Sequence, residues 1–380
     1  MSILDRSITE ILFVLSLLSL CLPRLFLLPV GGGLVFGHYL LLMAYGFMAF
    51  VQAPGSLRYV WLPVLLIFVS SLINISSFSL TVAIFHCVNL FWIALLAKQD
   101  PDHVAGIVEK LLTFLVWMTL VLAIMRFAGL QSLLPSGAFV DDRHTGQIRL
   151  TAFATEPAAT GLILMILSRF LMVARPDRYT TKLLGLTVAA TVLMLSLISA
   201  LAGVLILMNY LVMKGNTRAA IAALLGGLAL AGGIATTDFF ALRLSSIDAS
   251  QGLMGLNSGT IRFLPYFYLF DALSENPMAL FVGGGAGWFQ SAFFLNLGQY
   301  YTDNEALAAH MAAAIYDYGL PTVATFLLWN RPSRVWEKIT YVFIILLVML
   351  NTGVGSYLFI LFGTFALLEQ RIRDHDTPVS

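Results

Sequence analysis

The string that runs from Arg149 to Glu156 and Pro157 combines a guanidinium and a carboxylate at the start of an apolar run. Pro157 suits the first position of a helix, because the N–H that proline lacks would have no helical partner there. Glu156 then lies at the positive end of the helix dipole. A carboxylate in this position could accept a proton from an attacking hydroxyl group. The alternative interpretation is a structural helix cap with an anchoring arginine.

A second group of residues starts with Arg262, which precedes an aromatic stretch and the glycine run Gly283–Gly287. Arginine stays charged at any accessible pH and can grip a phosphate with two parallel hydrogen bonds. Arg262 is therefore a candidate anion-binding residue, although an arginine at a membrane interface could also serve only as an anchor. The glycine run is not a P-loop, because no Lys-Ser/Thr pair follows it. A tight turn or a hairpin is the favoured interpretation of these glycines.

The third candidate pair is His310 and Asp317. Seven residues separate them, which places both side chains on one face of a helix, two turns apart. Asp317 lies inside an apolar run, where a carboxylate is costly and normally faces a polar cavity or a partner. The alternatives are a general base for Asp317 or His310, a phosphate donor for His310, and purely structural pairing.

The elements that position these residues are predicted to be membrane helices, because 59% of the residues are hydrophobic and only 11% are charged. Roughly 20 apolar residues are needed to span the hydrocarbon layer. We predict an all-α polytopic membrane protein with about 12 transmembrane helices in a single membrane domain, residues 1–380. The predicted spans lie near residues 10–28, 35–51, 59–73, 80–97, 110–129, 157–174, 182–198, 200–213, 218–236, 308–329, 338–352 and 355–368. Within the pair at 182–213, Ser196–Ala202 is interpreted as a tight turn or a kink.

The basic residues predict the orientation. With both termini in the cytoplasm, 15 of the 21 lysines and arginines fall on the cytoplasmic side, as the positive-inside rule requires. The six on the outer side are Arg24, Arg126, Arg143, Arg149, Arg243 and Arg262. Cys21 and Cys87 lie in apolar runs, so neither a disulfide framework nor a zinc cluster is expected. The formal net charge of +1 argues against nucleic acid as a partner.

Two predicted outer loops, 130–156 and 237–307, are too long to be simple connectors. The second loop is rich in aromatic residues, and its segment Phe263–Leu273 is expected to form a helix at the membrane interface. Pro265 argues against a much earlier start, so Arg262 is expected just before this helix or in its first turn. Asn276-Pro277 is expected to end it.

The layout resembles the Wzy-type O-antigen and exopolysaccharide polymerases and the related O-antigen ligases. The residues that carry the resemblance are the Arg-x-x-small-x-x-x-Glu-Pro string at Arg149–Pro157, Arg262 before an aromatic helix, Gly283–Gly287, and the turn Tyr318-Gly319-Leu320. They cover about the central half of the chain. Families of this type often carry glycine where Ala152 stands here.

The resemblance implies a GT-C-like fold in a bacterial inner membrane and an undecaprenyl-diphosphate-linked glycan as donor. The implied enzyme is a glycosyltransferase that joins repeat units, with a chain-length regulator and a flippase as further partners. No cofactor is expected. The outer loops contain no Asp-x-Asp motif for a metal ion, so arginines are expected to stabilise the leaving diphosphate. For this chemistry we expect Arg262, with Arg149 or Arg143, to bind the diphosphate. The candidate bases are Glu156, His310 and Asp317, and the residues expected to contact glycan or lipid are Tyr266, Tyr268 and Trp288.

Two alternative functions remain open from the sequence. An O-antigen ligase would use the same chemistry with a lipid core as acceptor. A flippase or transporter of lipid-linked sugars would be expected to show repeated halves, broken helices in both halves and charges at mid-membrane. The unusual charges instead cluster in the two outer loops, which favours an enzyme.

Overall fold

The computed structural model describes residues 3–30, 33–52, 60–73, 77–133, 138–141, 148–235, 260–289, 310–352 and 356–376. These residues form fourteen α-helices, which confirms the predicted helical fold class. The helices are α1 (Ile3–Cys21), α2 (His38–Gln52), α3 (Trp61–Ile73), α4 (Ser77–Leu96), α5 (Pro101–Phe127), α6 (Pro157–Ala174), α7 (Thr181–Leu193), α8 (Leu197–Met213), α9 (Thr217–Ala235), α10 (Thr260–Glu275), α11 (Ala279–Val282), α12 (His310–Leu327), α13 (Val335–Met349) and α14 (Tyr357–Asp376).

Two short antiparallel hairpins add to the helices. Strands β1 (Leu27–Val30) and β2 (Gly33–Phe36) connect α1 to α2, and strands β3 (Phe139–Asp141) and β4 (Ile148–Leu150) lie between α5 and α6. Both hairpins fall in segments that connect helices at one end of the structure. Strands this short are not predictable from the sequence, because three or four paired residues leave almost no periodic pattern.

Two of the described helices are long and apolar enough to cross a membrane, namely Pro101–Phe127 and Pro157–Ala174. Seven further described helices are apolar over stretches of 10 to 17 residues, which are shorter than the length required of the two helices above. Large apolar side chains are exposed along several helices, including Phe47, Trp117 and Ile124. A lipid environment explains such exposure, whereas water would penalise it.

Helix α6 lies at the centre of the structure, since every residue from Pro157 to Met172 is buried. A helix that is apolar all round is expected in such a position. Small residues let its neighbours approach closely: a Cβ atom on Gly161 would come within 2.6 Å of the Ser199 Cα atom in α8. The Ser199 hydroxyl also donates a hydrogen bond of 2.7 Å to the Pro157 carbonyl. The first turn of α6, which follows Glu156, is therefore packed closely against α8.

A buried ion pair joins α6 to α14. The Arg169 Nε atom lies 3.1 Å from a carboxylate oxygen of Glu369, and both side chains are buried. Arg169 also donates to Asn209 in α8 at 2.9 Å and lies over the Tyr341 ring of α13 at 5.2 Å. Arg169, which the orientation count places on the cytoplasmic side, is thus buried and paired inside the helix bundle, where it has a structural role.

Three local predictions can be compared with the backbone. The pair at 182–213 consists of two helices, and the break falls at Met194–Ser196 with Leu195 at φ 50°, slightly before the predicted turn. Helix α10 begins three residues before Phe263 and ends just before Asn276, so Arg262 lies in its first turn as predicted. Pro265 lies inside this helix, beyond its first turn, and so leaves out one hydrogen bond of the helix.

Candidate functional site

The segment before α6 has an unusual backbone. Ala152 and Phe153 adopt positive φ angles of 45° and 66°, a region that residues with a Cβ atom rarely occupy. The N–H groups of Thr151 and Ala152 both donate to the Ala138 carbonyl, at 2.9 and 3.2 Å. The Thr160 hydroxyl of α6 donates to the Thr151 carbonyl. These bonds hold a strained turn just before Glu156, and strain of this kind clusters at functional sites.

Arg24 fastens the same turn to the region after α1. Its guanidinium donates hydrogen bonds to the carbonyl oxygens of Thr155 at 2.9 Å and of Phe139 at 3.4 Å. Its backbone N–H donates to the Phe153 carbonyl at 3.1 Å. Burial lowers the pKa of Arg24, and the nearby Tyr357 opposes that shift. Arginine nevertheless remains charged at neutral pH, so a fixed positive charge stands beside this turn.

Glu156 is the N-cap residue of α6, and its side chain makes no capping hydrogen bond to the helix. The adjacent Thr155 hydroxyl shares a hydrogen bond of 2.7 Å with the Tyr357 hydroxyl at the start of α14. Tyr357 interacts electrostatically with both Glu156 and Arg24. The structure therefore brings a carboxylate, a guanidinium and a phenol together at the start of α6, which we call the Glu156 end of the molecule.

Asp317 has a well-defined structural role. Its two carboxylate oxygens accept hydrogen bonds from the backbone N–H groups of Gly287 and Phe289, both at 2.9 Å, and the side chain is buried. The N–H group of Gly285 donates to the Asp317 carbonyl at 3.1 Å. Asp317 thereby fixes the glycine-rich turn against α12. These contacts favour the structural alternative for Asp317 over general-base catalysis.

The glycine-rich turn and the break in α12 fit together. Gly283, Gly285 and Gly287 have φ angles of 88°, 102° and 73°, and Gly319 interrupts α12 with φ 79°. A Cβ atom on Gly319 would lie only 2.8 Å from the carbonyl oxygen of Phe281. Only glycine allows this approach and these angles. The tight turn predicted for the glycine run and the turn at Tyr318-Gly319-Leu320 are both present.

A row of aromatic and histidine side chains connects the Glu156 end to the Asp317 turn. Neighbouring rings in this row have centroids 4.1 to 6.0 Å apart, within the usual range for interacting rings. His86 and Tyr318 also share a hydrogen bond whose donor depends on the histidine tautomer. The members of this ring row are Tyr357, His38, Tyr39, Phe85, His86 and Tyr318.

The aromatic residues predicted to contact glycan or lipid lie close to Asp317. Trp288 stacks on Tyr316 with ring centroids 5.1 Å apart and a 17° angle, and 44% of Trp288 remains exposed. Tyr268 packs on Phe289 at 5.4 Å. Tyr266 is half-buried, burial raises its pKa to about 12, and its hydroxyl has no hydrogen-bond partner among the described residues. A sugar ring could stack on the open face of Trp288.

Four predicted site residues lie wholly or partly outside the described residues. Arg143 falls in the undescribed segment 142–147, and most of loop 237–307 is likewise outside. For Arg149 in β4, Arg262 in α10 and His310 at the start of α12, the structure describes the backbone and not the side chains. Their roles remain predictions.

Arg24, His38 and His86 also belong to this site, although the sequence does not single them out as functional residues. Their contacts join segments far apart in the chain, such as His86 with Tyr318, and no local pattern indicates such pairs. The signal that was available is the presence of polar residues in otherwise apolar helices.

Within the described residues, no group of three or more histidine, cysteine, aspartate or glutamate side chains is arranged to hold a metal ion. The two cysteines, Cys21 and Cys87, form no disulfide bond.

No family model, curated protein or solved structure matches this chain.

Proposed function

We propose that this chain is a multi-pass membrane glycosyltransferase that polymerises undecaprenyl-diphosphate-linked oligosaccharide repeat units at the outer face of a bacterial inner membrane. The observation that carries the proposal is the cluster at the Glu156 end. There a strained turn, the Arg24 guanidinium and Tyr357 lie beside the Glu156 carboxylate. The predicted string at Arg149–Pro157 supplies this turn, so the resemblance and the geometry point to the same place.

The proposed reaction is a direct displacement at the anomeric carbon. An acceptor sugar hydroxyl attacks, its oxygen forms the new bond to the anomeric carbon, and the bond to the diphosphate oxygen breaks. Glu156 takes the proton of the attacking hydroxyl, which is the role of a general base. The lipid diphosphate leaves with the electron pair, and Arg262, with Arg149 or Arg143, stabilises its charge.

The remaining groups have supporting roles in this proposal. Arg24 keeps Thr155 in place and so positions Glu156, while its charge adds to the electropositive surroundings of the leaving group. Trp288, Tyr268 and Tyr266 form an aromatic surface for sugar rings or for the lipid. Sugars bind aromatic faces well because each ring presents a broad apolar surface.

The proposed topology has about 12 spans in a GT-C-like arrangement, with both termini in the cytoplasm. The long apolar helices α5 and α6, the shorter apolar helices and the exposed Phe47 and Trp117 support a lipid environment for the bundle. In this arrangement α6, α12 and α14 all enter the membrane from the outer side. The Glu156 end then faces the side where lipid-linked repeat units are polymerised.

The test uses the purified full chain in lipid and a purified lipid-linked repeat unit. We expect a ladder of polymers still linked to the polyprenyl diphosphate, formed equally well in the presence of a chelator. If single units stay unjoined while transfer occurs to an added lipid core, the ligase alternative is correct and polymerase activity is excluded. In cells, a deletion strain should accumulate single repeat units attached to the core.

One observation favours a second candidate, a transporter of lipid-linked sugars. Helix α12 is broken at Gly319 next to a buried carboxylate, and discontinuous helices of this kind often form substrate sites in transporters. In this chain, however, backbone N–H groups of the glycine-rich turn occupy both oxygens of Asp317. Movement of labelled lipid-linked sugar across vesicles that contain the purified chain, without any bond formation, would support the transporter.

A further inference from the structure

A cavity of about 330 Å³ lies at the opposite end of α6 from Glu156. Its lining includes Tyr179, Tyr210, Lys214, Arg334, Glu337 and Arg373, and we call it the basic pocket. Helix α6 has 18 residues, so at a rise of 1.5 Å per residue about 27 Å separate the two ends. The basic pocket is therefore separate from the candidate transfer site. Its volume is typical of small-molecule sites.

The basic pocket carries an excess of positive charge. Three basic side chains stand against one carboxylate, Glu337, which leaves a net charge of +2. Glu337 is buried, and one of its oxygens lies 2.9 Å from Arg373 while the other lies 3.8 Å from Arg334. One carboxylate thus holds two guanidinium groups near each other. An anion in the cavity would relieve the repulsion between these like charges.

The guanidinium of Arg334 remains accessible, since its side chain is 65% exposed. Arg334 is also the N-cap residue of α13, and its side chain makes no capping hydrogen bond. The first N–H groups of α13 therefore add to the positive potential at the same place. Lys214 directly follows α8, and its ammonium nitrogen lies 5.7 Å from the centre of the Tyr210 ring, within the range of a cation–π contact.

The walls of the cavity show what kind of molecule fits. Met172 and Met213 supply apolar surface, and the rings of Tyr179 and Tyr210 lie 6.2 Å apart. The cavity therefore combines a basic rim with an apolar wall. Basic pockets between membrane helices on the cytoplasmic side bind the phosphate groups of anionic lipids.

We propose that the basic pocket binds a phosphate group, supplied either by the headgroup of an anionic lipid or by a soluble phosphate compound. The binding uses Lys214, Arg334 and Arg373, and Glu337 keeps the two arginines in position. This inference does not depend on the chemistry at the Glu156 end.

The lipid source is tested with the full chain in nanodiscs that contain equal parts phosphatidylglycerol and phosphatidylcholine. Native mass spectrometry should detect retained phosphatidylglycerol on the wild type. The double variant Lys214→Ala with Arg334→Ala should weaken this binding about 30-fold, since each of the two basic residues contributes roughly fivefold. The matched control is the double variant Lys110→Ala with Lys182→Ala, which removes the same charge from exposed residues outside the pocket lining and should retain the lipid.

The soluble source is tested with inorganic pyrophosphate and protein in nanodiscs of phosphatidylcholine alone. Here the pyrophosphate should raise the melting temperature of the wild type and of the control, and not that of the pocket variant. Binding in either arm that depends on Lys214 and Arg334 supports the proposal and names its source. The proposal is overturned if wild type and pocket variant bind equally in both experiments. It is also overturned if the control variant loses as much binding as the pocket variant.

A measurement on the unchanged protein guards against a variant that fails to fold. Raising the salt concentration should release the bound phosphate group, because the attraction is electrostatic and the pocket is open. Retention that does not respond to salt contradicts the proposal.

Discussion

Arg24 and Thr155 are 131 positions apart in the chain, and the Arg24 guanidinium donates a hydrogen bond of 2.9 Å to the Thr155 carbonyl. Thr155 is the residue immediately before Glu156, and its hydroxyl contacts Tyr357. The start of α6 is thus held from two sides, by the segment after α1 and by the first residue of α14. This relationship makes Arg24 a positioning residue for Glu156.

Replacing Arg24 by alanine should reduce polymer formation strongly and lower the free energy of unfolding by about 2 kcal/mol, because charged hydrogen bonds to two carbonyl oxygens are lost. Arg24→Lys should restore polymer formation and stability only in part, since a single ammonium group does not reproduce the planar guanidinium with its several N–H donors. Melting temperature and the ratio of kcat to KM are measured together. Unchanged activity in Arg24→Ala would contradict the positioning role.

Glu156→Gln should lower kcat by roughly 10²–10⁴-fold, the usual contribution of a general base. The melting temperature should stay close to that of the wild type, because glutamine keeps the length of the side chain and one acceptor oxygen. Asp271→Asn is the matched control, since it neutralises an exposed carboxylate on α10. A Glu156→Gln enzyme with normal turnover would remove Glu156 as the base.

Asp317→Asn should act mainly on stability. An asparagine offers one acceptor oxygen to two backbone N–H donors, so a buried donor loses its partner, at a cost of about 1–3 kcal/mol. We expect a lower melting temperature, with near-normal turnover for each folded molecule below that temperature. If turnover instead falls several hundredfold in fully folded protein, Asp317 takes part in catalysis.

Arg262→Ala should abolish polymer while the protein stays inserted and folded, and Arg262→Lys should rescue poorly, because lysine lacks the fork that grips a diphosphate. The chain-length profile of the polysaccharide and the amount of the protein in the membrane are compared between wild-type cells and cells that carry each variant. Normal long-chain polysaccharide in Arg262→Ala cells would count strongly against the proposed role of Arg262.

Ala152→Gly should leave the melting temperature unchanged or raise it slightly. Glycine relieves the strain of a φ angle of 45°, which offsets the loss of a small buried methyl group. Ala154→Gly is the matched control: Ala154 is also buried but has no positive φ, so glycine there should destabilise by about 1 kcal/mol. Equal destabilisation by both changes would show that the turn is unstrained.

The sequence alone determined the helical class, the start of α6 at Pro157 and the position of Arg262 at or just before the start of α10, and the family resemblance placed a turn at Gly319. Each of these depends on local chemistry. Proline fixes a helix start, glycine permits positive φ, and an apolar run favours a helix in lipid. Such signals stand in consecutive residues and need no knowledge of the rest of the chain.

Only the tertiary structure decided which polar residues meet. The Asp317 carboxylate meets N–H groups of a turn some thirty positions earlier, His86 meets Tyr318, and Arg24 meets Thr155. These pairings depend on how the helices pack, and packing is a sum over many weak, distant contacts that no short sequence pattern encodes. For the same reason the sequence left Asp317 open between a base and a structural partner, whereas in the packed structure its oxygens accept hydrogen bonds from backbone N–H groups.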